Sequence, residues 1–531
     1  MASGNGPDEA ARRPGLLRFP IHPALVAAYP ILYLFARNLG EVDPAEVVGP
    51  LVVSIGLAVA LVAGFRLLRV GTRRAALIAS IVAVVILFFG QFVEAVRPLR
   101  VTETRLLIAW FGIAFVLVIV VLRARRDLAA VTALVNLIAG VVVAFHLVTI
   151  VSGLAGRPPS TAGAPAATAS PTAARSVRPP TDAGQRDVYY LVVEDYGSQR
   201  TIGQYLGIED DGFFSWLTDK GFEVLPDTRS NYGRTPLSMA SSLNMTYLDE
   251  VARAQGPNSD SYAPVNEMVK FSAAARFLKE RGYAIAQLGS QYYLTARGGL
   301  ADVNPVFRQT SDFLAVLYES TVLPPIATRL GFGDAFSERR LNYEAATWGL
   351  DEFPKLRDLP GPKFVFYHLF LPHHPFVVDA NGNYVTARDD AKRTPREQYQ
   401  TQWSFVHREL RKLIEPLLAL PEAERPIIIF TTDEGPNPEG MPTIEGDLDW
   451  SQATDAQLDQ KFSIFAAYYL PGVSDSGLYP GLSSVNSFRL VFNHYFDADL
   501  PLLPDRNYIH RDKHHPYVVT DVTDRLPPPT R

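Results

Sequence analysis

The chain has 531 residues, too many for one ordinary core, so its length predicts roughly two to four domains. Its net charge of -5 offers neither a basic footprint for nucleic acid nor an acidic tail. The absence of cysteine excludes disulfides, thiolate metal sites and cysteine nucleophiles, and leaves the compartment open.

The polar tail 1–18 is followed by a third of the chain that holds nearly all the long apolar runs and no lysine; the first is Lys220. Runs at 47–65, 75–93, 106–122 and 128–153 each approach the ~20 residues with which a helix crosses a bilayer. A shorter run at 19–37, broken by Pro23 and Pro30, completes an expected five-helix membrane module over 19–153. Arg12, Arg13 and Arg18 precede the first run, Arg66, Arg69, Arg73 and Arg74 separate the second and third, and Arg123, Arg125 and Arg126 separate the fourth and fifth. The alternate loops are acidic, with Glu41, Asp43 and Glu46, or mixed, over 94–105. Basic loops stay in the cytoplasm, so the N-terminus is expected inside and everything after residue 153 outside. The tail lacks a short apolar core with a small-residue cleavage site, which makes the first span an uncleaved anchor. His146, in the last span, reads as a packed interhelical residue ahead of a proton relay.

Residues 154–186 are rich in Ala, Pro, Thr and Ser without periodicity, which is the composition of a linker. From 187 to 510 strand-length apolar runs (187–193, 283–289, 363–370, 425–432, 462–470) alternate with amphipathic stretches such as 265–281 and 397–418. The runs are nearly continuous, as strands buried on both faces are. The fold predicted is an α/β outer domain with a mainly parallel sheet sandwiched by helices, followed by a C-terminal tail, 511–531.

Four polar islands lie in this domain: Glu194-Asp195, Thr235 within Arg234-Thr235-Pro236-Leu237-Ser238, Pro372-His373-His374-Pro375, and Asp433-Glu434-Gly435. Three follow strand-like runs directly, and in open α/β sheets functional groups gather beyond the carboxyl ends of the strands. Adjacent carboxylates at two strand ends suit a hard cation, although a helix cap or a turn also uses Asp. Thr235 heads a helical pattern, where a hydroxyl serves equally as an N-cap or as a metal-activated nucleophile; Ser238 is its rival. His373 and His374, held between prolines, read as contacts to substrate or metal. His368 within its strand, His407 and His494 read as structural, and His514-His515 as a solvated tail.

The order of these islands resembles the alkaline phosphatase and sulfatase superfamily, in particular its membrane-anchored branch similar to lipoteichoic acid synthases and phosphoglycerol transferases. The resemblance covers about 187 to 510, including SSVNSFRLVFNHYF at 483–496, and extends to the multi-span N-terminus. It implies an alkaline phosphatase-like fold, a metal ligand at Glu194, a nucleophile at Thr235, ligands at Asp433 and, by substitution for the usual histidine, Glu434, and a substrate contact at His373. Two departures stand out. Thr235 occupies the nucleophile position with Met239 where the sulfatase motif has Arg, which disfavours sulfate-ester hydrolysis through formylglycine. Glu434 in place of His makes the set Glu194, Asp195, Thr235, Asp433 and Glu434 all-oxygen, favouring Mn²⁺ or Mg²⁺, with Ca²⁺ or Zn²⁺ as alternatives. The expected activity is a metal-dependent transfer of a phospho-alcohol group from a membrane lipid donor to an envelope polyol, glycan or lipid, catalysed by Thr235, His373 and His374. Metal-dependent hydrolysis of a phosphoester is the alternative, and a non-catalytic metal-binding scaffold the third reading.

Overall fold

The computed structural model describes residues 19–39, 42, 44–96, 101–155, 185–307, 312–330, 337–437 and 449–529. The tail 1–18 and nearly all of the expected linker lie outside them. The chain divides into two compact units, Met1–Ser160 with Phe313–Ser337, and Thr161–Asp312 with Glu338–Arg531.

The first unit is helical: α1 (His22–Arg37), α2 (Pro44–Leu67), α3 (Thr72–Leu87), α4 (Phe89–Val96), α5 (Glu103–Arg123) and α6 (Ala129–Ala155). Five crossings are expected from sequence. Among the described residues α2, α5 and α6 are long and apolar enough to cross a membrane, and α3 with α4 makes a fourth candidate if that pair, bent by 62°, is one span. The remaining run became α1, 16 residues long with Pro30 inside it, below the length that covers a bilayer. Buried polar links hold α1 in this apolar setting. Asn136 accepts from the backbone of His22 at 2.9 Å and donates to the Phe19 carbonyl at 2.7 Å, while His22 Nδ1 meets Ser80 Oγ at 2.7 Å. His146 packs edge-on against Tyr33 and Phe145 and tilted against Tyr29.

Residues 313–337 fall within the expected outer domain by sequence, yet they belong to this helical unit. Phe313 packs with Ile31, Leu32 and Phe35, and Val322 with Phe89, Leu106 and Leu107. Gly90 donates its N–H to the Ser320 carbonyl at 2.9 Å. A Cβ at Gly90 would stand 2.8 Å from that carbonyl oxygen, so only glycine lets the bend after α3 come this close.

The second unit carries a six-stranded sheet of β1 (Val188–Val193), β2 (Glu223–Arg229), β3 (Ala284–Leu288), β4 (Lys363–Leu369), β5 (Ile427–Thr432) and β6 (Ser463–Tyr469), in the order β2-β6-β5-β1-β4-β3. The pairs β1–β4, β1–β5 and β3–β4 are parallel, whereas β6 is antiparallel to both β5 and β2. One face packs Tyr189, Leu191 and Val193 against Trp403 and Val406 of the helix Pro395–Leu418; the other packs Val188, Tyr190 and Val192 against Leu237 and Ala240 of α7 (Thr235–Asn244). The sequence pattern placed five strands within a residue or two of their ends and missed β2. Asp227 and Arg229 are buried by an ion network rather than by apolar contact: Asp227 pairs with Arg229 at 2.9 Å and Arg200 at 3.0 Å, and Arg200 reaches Asp459. The stretch expected as one helix, 265–281, is two, Ala263–Lys270 and Ala273–Lys279, because the Ser272 side chain caps the second.

Removing one partner from a buried ion network leaves charge uncompensated. Asp227→Ala is expected to cost about 3 kcal/mol in chemical unfolding; a loss below about 0.5 kcal/mol would show that β2 is held by other contacts.

Candidate active site

Strand geometry decides the site. Successive side chains point to opposite faces of a strand; just past the end of β1, Glu194 meets Thr235 on the face of Val188, Tyr190 and Val192, whereas Asp195, in a turn at φ +53°, reaches Lys461. On β5 the row of Ile427 and Ile429 continues to Asp433, and that of Ile428 and Phe430 to Glu434. On β4 the row of Phe364 and Phe366 continues to His368. The five residues expected as one metal set therefore fall into two groups.

Glu194, Thr235, His368 and Asp433 form the first group, on the face that α7 covers. Thr235 is the first residue of α7, and its hydroxyl donates to Glu194 Oε1 at 2.8 Å, so it does not act as a cap. His368 Nε2 meets Glu194 Oε2, and its Nδ1 meets Thr295 Oγ1 at 2.9 Å. The Ser238 hydroxyl donates to the Asp433 backbone carbonyl at 2.6 Å and so braces the strand end. Asp433 Oδ1 accepts from the Asp195 N–H at 3.3 Å; Asp433 Oδ2 is buried without a hydrogen-bond partner among the described residues. Burial pushes the Glu194 carboxyl up to about 8, reinforced by Asp195 and Glu434 and opposed by His373 and the Thr235 hydroxyl. Burial, then the Glu194 charge, holds Asp433 well above the carboxylate range. Burial lowers His368 to about 4, so its ring is neutral at physiological pH.

The second group is Asp195, Glu434, Lys461, His373 and His374. Lys461 is 1 % exposed and sits 2.9 Å from Glu434 Oε1, 3.2 Å from Asn437 Oδ1 and 3.6 Å from Asp195 Oδ1. A Cβ at Gly435 would overlap the Gln460 carbonyl, and the Gly435 N–H donates to the Lys461 carbonyl at 2.9 Å; this close approach puts the ammonium on Glu434. His373 Nε2 lies 3.6 Å from Asp195 Oδ2. Asp195, His373 and His374 offer ligand atoms within 4.8 Å of one another, close enough to share an ion. Tyr399 and Gln402 on the helix Pro395–Leu418 donate to the backbone carbonyls of Asp195 and His373 at 3.0 and 2.8 Å. Asp195 is held at φ +53°, a left-handed conformation uncommon outside glycine and frequent where a site stores strain.

The geometry adds two contacts to the sequence expectation. Glu434 Oε1 pairs with an internal lysine, Lys461, which sequence reasoning missed; its only signal is a lone Lys two residues before an apolar strand. His368 is buried as expected, yet it meets a site carboxylate, and its even spacing with Phe364 and Phe366 was the available sign. His407, between Tyr196 and Asp211, His494, on the Ser476 carbonyl, and His515, on Asp512, make structural contacts outside the site.

These charges set a pH dependence. Carboxyls raised in the folded state bind protons more tightly folded than unfolded, so their stabilisation is present at low pH and lost as pH rises. His368, lowered from 6.5, works in the opposite sense below that value. Without metal, thermal stability is expected to fall with rising pH and to fall more steeply between 6.5 and about 8. Glu194→Gln should flatten that limb; an unchanged slope in a thermal melt would remove Glu194 as its source.

No family model matches the sequence, and neither does any curated protein. Among solved structures the chain is similar to the C-terminal periplasmic domain of EcEptC from Escherichia coli, at 12 % identity over 65 % of this chain and 95 % of that one, with a TM-score of 0.41. A zinc complex of that domain aligns with a TM-score of 0.42 at the same identity and coverage. A protein in the alkaline phosphatase superfamily from Vibrio parahaemolyticus aligns at 12 % identity over 61 % of this chain and 73 % of that one, with a TM-score of 0.36. The solved structures to which the chain is similar thus include a member of the superfamily that the order of its islands resembles.

Proposed function

We propose that the chain is a membrane-anchored, metal-dependent phosphotransferase that moves a phospho-alcohol group from a lipid donor, through Thr235, to a hydroxyl of an envelope glycan or lipid. One observation carries this reading: the Thr235 hydroxyl, at the head of a buried helix, donates to Glu194 beside a buried oxygen of Asp433 that has no hydrogen-bond partner among the described residues. Two carboxyls buried together are costly, and their oxygens with the Thr235 hydroxyl fit a divalent cation. When bound, that ion lowers the pKa of the hydroxyl and offsets charge on the phosphoryl oxygens.

With the cation site filled, Glu194 would be held as the carboxylate, and its Oε1, 2.8 Å away, takes the Thr235 proton. The Thr235 oxygen bonds to phosphorus as the donor P–O bond breaks, and His373 protonates the departing alkoxide. Asp195 Oδ2 sits 3.6 Å from His373 Nε2 and orients the ring for this step. The acceptor hydroxyl then returns a proton to His373, its oxygen bonds to phosphorus, the Thr235 ester bond breaks, and Glu194 hands the first proton back. With water as acceptor the same steps give hydrolysis.

Anchorage draws support from the first unit. The segment 313–329 packs on Phe35, Ile86, Gly90 and Leu106, at the helix ends that the arginine-rich loops assign to the outside. A residue on that stretch and a site in the same polypeptide beyond the last span are then extracytoplasmic together.

Full-length protein in detergent, given divalent metal and phospholipid labelled at phosphorus, should retain label on Thr235 and pass it to a glycan or lipid acceptor. Thr235→Ala should abolish retention and lower turnover by about 10³ or more; full activity in that variant overturns the nucleophile assignment, and release to water alone favours hydrolysis. Because the chain has no cysteine, single replacements report topology without background. Asp475→Cys should react with an impermeant maleimide in spheroplasts and Arg125→Cys only after lysis; the reverse pattern would refute an outer active site.

A further inference from the structure

Metal dependence of the Thr235 site leaves open which nitrogen, if any, completes the donor set once Glu434 is turned aside. Building on the metal-dependent reading, we propose that His368 Nε2 is the nitrogen ligand of a cation held by Glu194, Thr235 and Asp433, and that Lys461 occupies Glu434 as a resident counter-ion and keeps it out of the set.

Four observations converge. His368 is in register with Val192 on the neighbouring parallel strand, and Glu194 lies two residues further along the same row, so both side chains leave the sheet on the face where α7 presents Thr235. Nε2 meets Glu194 Oε2, on the carboxylate whose other oxygen accepts from Thr235. The opposite ring nitrogen is fixed: Nδ1 meets Thr295 Oγ1 at 2.9 Å, and that hydroxyl meets Ser290 Oγ at 2.8 Å. A partner on the far nitrogen that sets the ring orientation is the usual support of a histidine ligand. Finally, Asp433 Oδ2, on a residue 3 % exposed, has no hydrogen bond among the described residues, and its carboxyl is close enough to Glu194, His368 and Thr235 to be influenced by all three.

The other candidates are placed elsewhere. His373 and His374 gather with Asp195 in the second group. Glu434 is bound to Lys461 at 2.9 Å, and both are buried. Turning Glu434 toward the first group would strand a buried ammonium, which is strongly unfavourable, and the contact of Gly435 with the Gln460–Lys461 backbone fixes the turn against it. A nitrogen among oxygen donors shifts preference away from Mg²⁺ and Ca²⁺ toward Mn²⁺ or Zn²⁺, which revises the ion preference drawn from an all-oxygen set.

Mn²⁺-loaded full-length protein, read by pulsed electron paramagnetic resonance, tests this apart from activity. The expected result is one bound Mn²⁺ with ¹⁴N modulation that shifts to the ¹⁵N pattern after histidine labelling. The modulation persists in Glu434→Gln and in the His373→Asn/His374→Asn double variant, and disappears in His368→Gln together with at least about a tenfold loss of Mn²⁺ affinity. The double variant leaves His368 untouched, so the test survives if His368→Gln does not fold. Bound Mn²⁺ without nitrogen modulation, or modulation lost in the double variant, overturns the role of His368 while metal binding stands. Absence of any bound Mn²⁺ overturns both readings.

Discussion

Two acidic dipeptides at the ends of adjacent parallel strands constrain everything else in this site. β1 and β5 run in register, with Val193 opposite Thr432, so Glu194 falls beside Asp433 and Asp195 beside Glu434. Because neighbours on a strand point opposite ways, the four carboxyls resolve into two pairs, one on each side of the sheet end. Each pair is buried, and each therefore requires positive charge or protons. On one side the requirement is met by Lys461. On the other, a neutral imidazole and a hydroxyl approach Glu194, and burial favours the protonated carboxyls.

The mixed direction of the sheet explains how these groups meet. A strand antiparallel to its neighbours begins where they end. Since β6 opposes β5, the residues just before it, Lys461 among them, lie at the carboxyl ends of β1 and β5. In a wholly parallel sheet that lysine would sit at the far end of the domain. The edge strand β2 opposes β6 in turn and so runs with the parallel strands; its exit at Arg229 delivers the chain to the same end, six residues ahead of Thr235. The Asp227–Arg229–Arg200–Asp459 network that secures β2 to the start of β6 thus also fixes the points from which Thr235 and Lys461 are launched.

Much of this was legible in sequence because burial on both faces leaves a plain signature. VYYLVV, KFVFYHL and IIIFTT are continuous apolar or aromatic runs, and the polar residues that follow them are conspicuous. What escaped was hidden by compensation at long range. β2 reads EVLPDTR, with Pro226 and the charged Glu223, Asp227 and Arg229, a composition that fails every strand pattern until Arg200 and Asp459 are brought to it from elsewhere in the chain. Lys461 looked like an ordinary surface lysine because its partners are about 27 and 266 residues away in sequence. The division of the acidic dipeptides was in principle readable from parity alone, but adjacency in sequence suggested a shared ion. The domain membership of 313–337 had no local sign: its apolar residues are typical of a packed helical pair, and only the structure shows that their partners are the helices of the first unit.

The two ways of neutralising a buried carboxyl pair are not chemically equivalent, and Thr235, the proposed nucleophile, sits on the side where the difference matters. An ammonium on a tether carries one charge, offers three donors and cannot leave, so the Asp195–Glu434 side is a fixed electrostatic wall against which His373 is poised. A pair that lacks such a side chain can take up either protons or a divalent cation, and the two compete. Protons leave the Thr235 hydroxyl at its ordinary, weakly nucleophilic state, whereas a dication supplies twice the charge and polarises the hydroxyl that it touches. Placing Lys461 on Glu434 therefore does more than stabilise that residue: it leaves the charge of Glu194 and Asp433 to protons or to the metal of the proposed function.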